Sequence, residues 1–229
     1  MQTRGFTLVE MVLTMVIGSI LILGIAGFVQ LGSKGYADTV ARQTLQTQAK
    51  FVLEKMTREI RHAVPNSFYA GNDCLSFYPI DYSGFYHVAD NDNTQLSFIV
   101  GQSSVDPTSS PALTGKKMII NPTHYSEFSS GIDLNSNSTT ITIAPLASQS
   151  VAKRFYIYQQ QVTYCLDSAT KQINRNGVQV ADHLDVSKSE FRYADPTLQR
   201  GGVIHIALTF EQNGESSSFE TDVQVLNVP

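Results

Sequence analysis

The chain contains one long uncharged apolar run near its N-terminus. The run extends over about 19 residues, from Met11 to Val29, and Thr14 and Ser19 carry its only hydroxyls. A helix needs ~20 apolar residues to cross the ~30 Å hydrocarbon core of a bilayer. The sequence therefore predicts a membrane-spanning helix at this position.

Two ordinary interpretations of this run leave one residue unexplained. A secretory signal peptide fits poorly, because the run is longer than an ordinary h-region and no small-x-small cleavage site follows it. A plain membrane anchor, with Arg4 on the cytoplasmic side, explains the length and the orientation. It does not explain Glu10, because an ionisable group in a spanning helix costs at least ~2.5 kcal/mol on insertion scales. The position of Glu10 therefore predicts a cationic partner at the same depth in the membrane.

The residues around Glu10 carry a family resemblance. The segment Gly5-Phe6-Thr7-Leu8-Val9-Glu10 follows a short basic leader and resembles the prepilin processing motif of type IV pilins and type II secretion pseudopilins. The resemblance implies that prepilin peptidase cleaves between Gly5 and Phe6 and methylates the new N-terminus at Phe6. It also implies that Glu10 is an assembly contact, which pairs with the N-terminal amine of a neighbouring subunit.

The resemblance to the processing motif and the hydropathy pattern together imply four segments. They are a leader at 1–5, a transmembrane and assembly helix at 6–31, its amphipathic continuation at 32–64 and an extracytoplasmic antiparallel β domain at 65–229. Gly32 to Gly35 form a polar break between the two helical parts. Apolar positions of the continuation recur three or four residues apart, and they are Ala37, Ala41, Leu45, Ala49, Val52, Met56, Ile60 and Ala63. Pro65 ends this helix.

The last segment alternates apolar and polar residues with a period of two, which predicts strands. Predicted strands are 74–80, 95–100, 117–120, 139–144, 154–158, 161–166, 172–175, 177–184, 189–193, 203–210 and 219–225. Asp90 to Asn93 form the predicted turn between the first two, and Asn213-Gly214 is a strong hairpin signal. The region 121–138 is expected to be loop. The fold class predicted is α+β and pilin-like, with the long N-terminal helix packed on an antiparallel β domain.

Composition limits the chemistry of the β domain. A net charge of −4 offers no electrostatic footprint for nucleic acid. The histidines are scattered without ligand spacing, and no nucleophile elbow, phosphate loop or dinucleotide fingerprint occurs, so no enzyme activity, metal or cofactor is expected. Cys74 and Cys165 are expected on the oxidising side, where they predict one disulfide. Two buried free thiols are the alternative.

The rest of the chain carries a finer resemblance. Minor pilins of the mannose-sensitive haemagglutinin (MSHA) pilus are similar to this chain over the segments 35–42, 51–66, 154–157, 162–166 and 223–229. The same layout resembles J-type minor pseudopilins of type II secretion and the related W-type minor pilin. The resemblance to MSHA proteins implies a minor subunit that joins or primes a pilus for surface attachment.

The partners and location are also implied by the resemblance. Implied partners are prepilin peptidase, other major and minor pilins through the N-terminal helix, and the inner-membrane assembly platform. The implied location is the inner membrane, single-pass with the C-terminal domain in the periplasm, and the pilus or cell surface after assembly. A membrane-anchored binding or sensor domain that never polymerises is the alternative from another class.

Overall fold

The described N-terminal part of the chain is one long helix. The computed structural model describes residues 5, 7–89, 94–101, 112–197 and 201–225. Helix α1 spans Leu8–Arg61, 54 residues, and is about 80 Å long at ~1.5 Å per residue. It runs without interruption through Gly32–Gly35, where the sequence indicated a polar break. Glycine lowers helix propensity by only ~1 kcal/mol per residue, and strong helix formers on both sides maintain the hydrogen-bond ladder.

Only the C-terminal part of α1 packs on the β domain. Its buried residues are Leu45, Ala49, Val52, Met56 and Ile60, which belong to the predicted apolar stripe. The two N-terminal members of that stripe are not buried: Ala37 is exposed and Ala41 is half-buried. Leu45 is the first buried residue of α1, and Arg42, about one turn before it, forms an ion pair with Glu215 of β14 at 2.7 Å.

The described residues after α1 form fourteen strands and two 3₁₀ helices. The strands are β1 Tyr69–Gly71, β2 Cys74–Phe77, β3 Tyr82–Val88, β4 Gln95–Val100, β5 Lys116–Ile119, β6 Ile132–Leu134, β7 Thr140–Thr142, β8 Arg154–Tyr158, β9 Val162–Asp167, β10 Gln172–Arg175, β11 Val178–Ala181, β12 Glu190–Ala194, β13 Val203–Gln212 and β14 Glu215–Gln224. The 3₁₀ helices are Tyr125–Ser130 and Val186–Lys188. Every strand pair within the described residues is antiparallel, so the predicted α+β class is confirmed.

Two of the three sheets surround the C-terminal part of α1. One has the order β1-β2-β9-β10-β11 and the other the order β12-β13-β14. Strand β12 lies against β1 and β2, while α1 contacts β11, β13 and β14. The two sheets therefore wrap around the helix and share one core with it, which includes Met56, Tyr164 and Phe210.

The third sheet forms a separate lobe. Its order is β6-β5-β8-β3-β4-β7, and its core, which includes Leu96, Phe98 and Phe155, consists of strand and loop residues only. A small cluster of Val64, Phe128 and Tyr158 joins this lobe to the end of α1. The Tyr158 hydroxyl donates to the Phe128 carbonyl oxygen at 2.7 Å.

Several predicted strands and turns differ from the structure. Strand β4 pairs with β3 and β7, not with β2, whose partners are β1 and β9. The sequence missed β3 because Ser83 and Gly84 interrupt its alternation, and glycine is needed there: a Cβ on Gly84 would lie 1.9 Å from the Ile99 carbonyl oxygen. Strand β1 was also missed, and β6 lies in the region expected to be loop. The predicted turn at Asp90–Asn93 lies outside the described residues.

The predicted hairpin at Asn213-Gly214 is present. Both residues have positive φ, 54° and 81°, as a two-residue hairpin turn requires. Strands β13 and β14 pair without a register shift from Val203 opposite Gln224 to Gln212 opposite Glu215.

Candidate assembly site

Two of the predicted processing and assembly residues, Gly5 and Glu10, lie just before and within the first turn of α1. Gly5 is exposed and lies outside any helix or strand. Phe6, the predicted residue of cleavage and methylation, lies outside the described residues. Thr7 is the N-cap, because its Oγ1 accepts a hydrogen bond from the Glu10 backbone N–H at 3.3 Å. The cap fixes where the helix begins, immediately after the predicted cleavage position.

Glu10 lies in the first turn of α1 with its side chain exposed. A carboxylate is favourable at this end of a helix, because the unpaired N–H groups give it a partial positive charge. Among the described residues, the Glu10 carboxylate has no hydrogen-bond or ion-pair partner. It therefore faces outward from the apolar segment, where a group from another chain can reach it.

The apolar part of α1 has no cover within the described residues. No side chain from Leu8 to Leu31 is buried, and large ones such as Ile22 and Phe28 are 68 % and 79 % exposed. This is the one helix in the described part of the chain that is long and apolar enough to cross a membrane. An apolar surface of this extent marks a membrane or protein contact.

Polar contacts fix the rest of α1 to the β domain. Where the β domain begins to cover the helix, Arg42 pairs with Glu215 at 2.7 Å. One and a half turns further along, Gln48 donates to the Asp182 carboxylate at 2.9 Å. Together with the buried apolar face, these contacts attach the C-terminal part of the helix to the β domain.

The most extensive polar contact of the helix is made by Glu59. Its Oε2 accepts hydrogen bonds from the Tyr164 hydroxyl at 2.9 Å and from Arg175 Nε at 3.0 Å, while Lys55 Nζ lies 3.1 Å from Oε1. Burial raises the pKa of the Glu59 carboxyl, but the hydrogen bonds from Arg175, Lys55 and Tyr164 outweigh it and leave the pKa below its ordinary value. The folded structure therefore favours the ionised form of the Glu59 carboxyl.

We expect Glu59→Gln to destabilise the protein by about 1–3 kcal/mol at pH 7, since hydrogen bonds to charged groups contribute roughly that much. Because the folded-state pKa is lowered, this stabilisation is present above the unfolded pKa and is lost as pH falls through the folded value. The wild type and the variant should therefore converge at acidic pH. Denaturant unfolding of the full chain in detergent at pH 7 and pH 3 measures both effects.

Glu54→Gln is the matched control for this experiment. Glu54 lies on the same helix, but its carboxylate is 73 % exposed and pairs only with the equally exposed Arg58 at 2.8 Å. Such surface pairs contribute little, so the control should unfold within ~0.5 kcal/mol of the wild type. Equal losses in the two variants would contradict the role assigned to Glu59.

Cys74 and Cys165 are joined by a disulfide in the structure. They lie directly opposite each other on β2 and β9, with their Cα atoms 4.1 Å apart and a separation of 91 positions in sequence. The bridge follows the tight β1–β2 turn, in which Asn72 and Asp73 both have positive φ. It therefore links the hairpin after the helix to the central strand of the five-stranded sheet.

Histidines that are scattered in sequence acquire carboxylate neighbours in the fold. His205 Nδ1 lies 2.7 Å from Asp222, and its Nε2 lies 4.0 Å from Glu190. His183 lies 2.6 Å from Asp182. Among the described residues, no group of three or more histidine, cysteine, aspartate or glutamate side chains is arranged to hold a metal ion.

Sequence reasoning missed the residues that attach the helix. Glu59 and Arg175 are 116 residues apart, and no local pattern connects them. Thr7 could have been identified, because a threonine before an apolar run with an acidic residue three positions later is a capping signature.

Comparison with known proteins identifies the N-terminal segment. Residues 1–26 match the family model described as the prokaryotic N-terminal methylation motif. No curated protein and no solved structure matches the chain. The motif supports a type IV pilin-like protein, implies processing by prepilin peptidase in the context of pilin assembly, and belongs to structural subunits. With the single apolar helix, it supports a membrane-anchored single-pass protein.

Proposed function

We propose that this chain is a minor pilin, a structural subunit of an MSHA-type type IV pilus used in surface attachment. Prepilin peptidase cleaves it after Gly5 and methylates Phe6, and the subunit waits in the inner membrane with its β domain in the periplasm. It then enters the pilus or the complex that primes it. The observation that supports this most is the methylation motif at the start of a helix whose first half is entirely uncovered.

The proposed assembly follows from the two parts of the helix, an uncovered N-terminal part and a C-terminal part that packs on the β domain. From Leu8 to Leu31 no side chain of the helix is buried by the described residues, so this segment exchanges lipid for the helices of other subunits without unfolding the β domain. Glu10 moves with the helix from the membrane into the contact between subunits. A buried charge is tolerable only when it is paired, so Glu10 needs a cationic partner in both places. Cleavage after Gly5 creates an N-terminal ammonium on Phe6 of each subunit, and this is the partner that Glu10 receives from its neighbour.

The choice of an MSHA-type pilus rests on sequence resemblance. Segments at 51–66 and 162–166 resemble the minor pilin MshO, and they include buried residues of the helix and of β9. The same layout resembles J-type minor pseudopilins, which belong to type II secretion. The two systems differ in their product, since one displays a pilus on the cell surface and the other exports folded proteins.

Deletion of the gene distinguishes these systems. We expect the deletion strain to lose surface pili and attachment, to regain both with the wild-type gene, and to secrete type II substrates at the wild-type level. Counting of pili by electron microscopy and assays of secreted enzymes measure the two outcomes. If the deletion strain makes normal pili but secretes less of the type II substrates, the chain is a minor pseudopilin of type II secretion and not a minor pilin.

A further inference from the structure

Strand β14 forms an edge of the three-stranded sheet that no described strand continues. The sheet has the order β12-β13-β14, and its other edge, β12, lies against β1 and β2. Strand β14 has ten residues, as many as its partner β13. The outermost strands of the six-stranded lobe, β6 and β7, have three residues each. Among the outermost strands of the described sheets, β14 is therefore the longest.

The geometry of the β13–β14 hairpin shows which backbone groups this edge offers. Gln212 and Glu215 flank the two-residue turn and form its hydrogen-bonded pair. In an antiparallel pair every second residue of a strand bonds to its partner, and the residues between them direct N–H and C=O outward. Because the register has no shift, the outward residues are Ser216, Ser218, Glu220, Asp222 and Gln224. Their backbone groups have no hydrogen-bond partner among the described residues.

Strand β14 lacks the features that usually protect an edge strand from pairing. Natural edge strands are short, carry proline or lysine, contain a bulge, or are covered by another element. The sequence of β14 has no proline and no lysine, and its pairing with β13 shows no bulge. Helix α1 packs on the inner face of the sheet, where Val223 is buried. The edge itself can therefore accept a further strand.

The charges along β14 decide which kind of strand fits beside it. Its exposed charged residues are Glu220 and Asp222, and Asp222 is 68 % exposed although His205 Nδ1 lies 2.7 Å away. Glu215, at the turn, is paired with Arg42. A second copy of β14 would bring the same acidic residues alongside, and like charges next to each other on a sheet are destabilising. Basic residues at every second position of a strand are attracted instead.

We infer that the outer edge of β14 binds an extended segment of another protein in which basic and apolar residues alternate. The segment adds a fourth strand to the sheet. Its basic side chains lie on the exposed face beside Glu220 and Asp222, and its apolar side chains lie on the inner face beside the half-buried Phe219. Backbone hydrogen bonds supply the affinity, and the alternating side chains supply the specificity. The free edge belongs to the β domain and does not depend on the proposed pilus function.

A capped peptide of alternating lysine and valine is the probe for this site. It is labelled and titrated against the full chain in detergent, and binding is followed by fluorescence anisotropy. At saturation, hydrogen exchange of β14 should slow by about tenfold or more, because the added strand occupies the free N–H groups. A peptide of alternating glutamate and valine should bind about tenfold more weakly or less, because its charges repel those of β14.

Ser218→Pro removes one of the outward N–H groups and should weaken binding of the lysine–valine peptide about tenfold. Its thermal unfolding midpoint should stay close to that of Ser218→Ala, because proline is tolerated on an edge strand where the N–H faces solvent. Ser218→Ala is the matched control. Both substitutions remove the hydroxyl contact with Thr209 at 2.9 Å, but alanine keeps the N–H, so the peptide should bind as it does to the wild type.

Glu220→Lys tests the charge preference without altering the backbone, and it serves if Ser218→Pro does not fold. It should weaken binding of the lysine–valine peptide and strengthen binding of the glutamate–valine peptide. Equal affinity of the lysine–valine peptide for the wild type and folded Ser218→Pro would overturn the inference. So would a wild type that does not bind this peptide or that prefers the acidic one. Protection of β14 that rises with protein concentration in the absence of peptide would assign the edge to a second copy and overturn it as well.

Discussion

Glu10→Ala is expected to leave cleavage after Gly5 intact and to reduce the number of assembled pili by tenfold or more. Cleavage depends on the residues around the scissile bond, and Thr7, not the Glu10 side chain, caps the helix. In the proposed assembly, the Glu10 carboxylate pairs with the N-terminal ammonium of a neighbouring subunit in an apolar environment, so assembly should depend on it. Truncating one partner of a buried charge pair costs roughly 2–5 kcal/mol, enough for the expected loss. Immunoblots for processing and electron microscopy of pili measure the two effects separately.

The control for this variant is Glu54→Ala. It removes a carboxylate from the same helix at a position that lies beyond the membrane, and it should leave processing and piliation unchanged. Glu10→Asp should restore part of the assembly, because it keeps the charge and shortens the side chain. Full piliation in Glu10→Ala would mean that the pairing of Glu10 with an N-terminal amine is not needed.

Removal of the disulfide is expected to have the largest effect on stability. The bridge closes a loop of about ninety residues across β2 and β9, and losing such a bridge costs about 2–5 kcal/mol. For a domain of this size that corresponds to a decrease in unfolding temperature of ~5 °C or more. Thermal unfolding of the Cys74→Ser/Cys165→Ser double variant in detergent measures the decrease.

Chemical reduction of the wild type is the independent control. Reduced wild type and the double variant should unfold at the same temperature, because both lack the bridge and neither leaves a single unpaired thiol. Ser76→Ala changes a buried polar side chain of β2, which bonds to Thr163 at 3.0 Å, and should cost no more than ~1.5 kcal/mol. If the reduced and oxidised proteins unfold at the same temperature, the disulfide does not contribute to stability.

The helix and the face that it packs against the β domain could be predicted from local patterns alone. The uncharged run, the motif ending at Glu10 and the three-four spacing from Leu45 to Ile60 all lie within a few turns of one element. A hydrophobic period therefore indicated both the element and the face that it buries. The continuity of the helix through Gly32–Gly35 could not be read from the pattern, because the low helix propensity of glycine opposes it and the flanking helix formers outweigh that cost.

The arrangement of the β domain depends on contacts that the sequence does not display. Short strands such as β3 alternate poorly, since Gly84 is selected by the close approach of the Ile99 carbonyl and not by strand propensity. The pairing of β2 with β9, across about ninety residues, follows no turn signal. The division into two sheets around the helix and a separate six-stranded lobe arises from these long-range pairings. The Glu59 contacts were unpredictable for the same reason.

The identity of the N-terminus in assembled filaments is the most direct test of this account. Filaments sheared from the cell surface and the membranes left behind are analysed by mass spectrometry for N-terminal peptides of this chain. The account predicts peptides beginning at N-methylated Phe6 in the filament fraction, and their loss when prepilin peptidase is absent. Recovery of only the unprocessed chain beginning at Met1, confined to the membranes of cells that contain the peptidase, would contradict it and indicate an anchored domain that never polymerises.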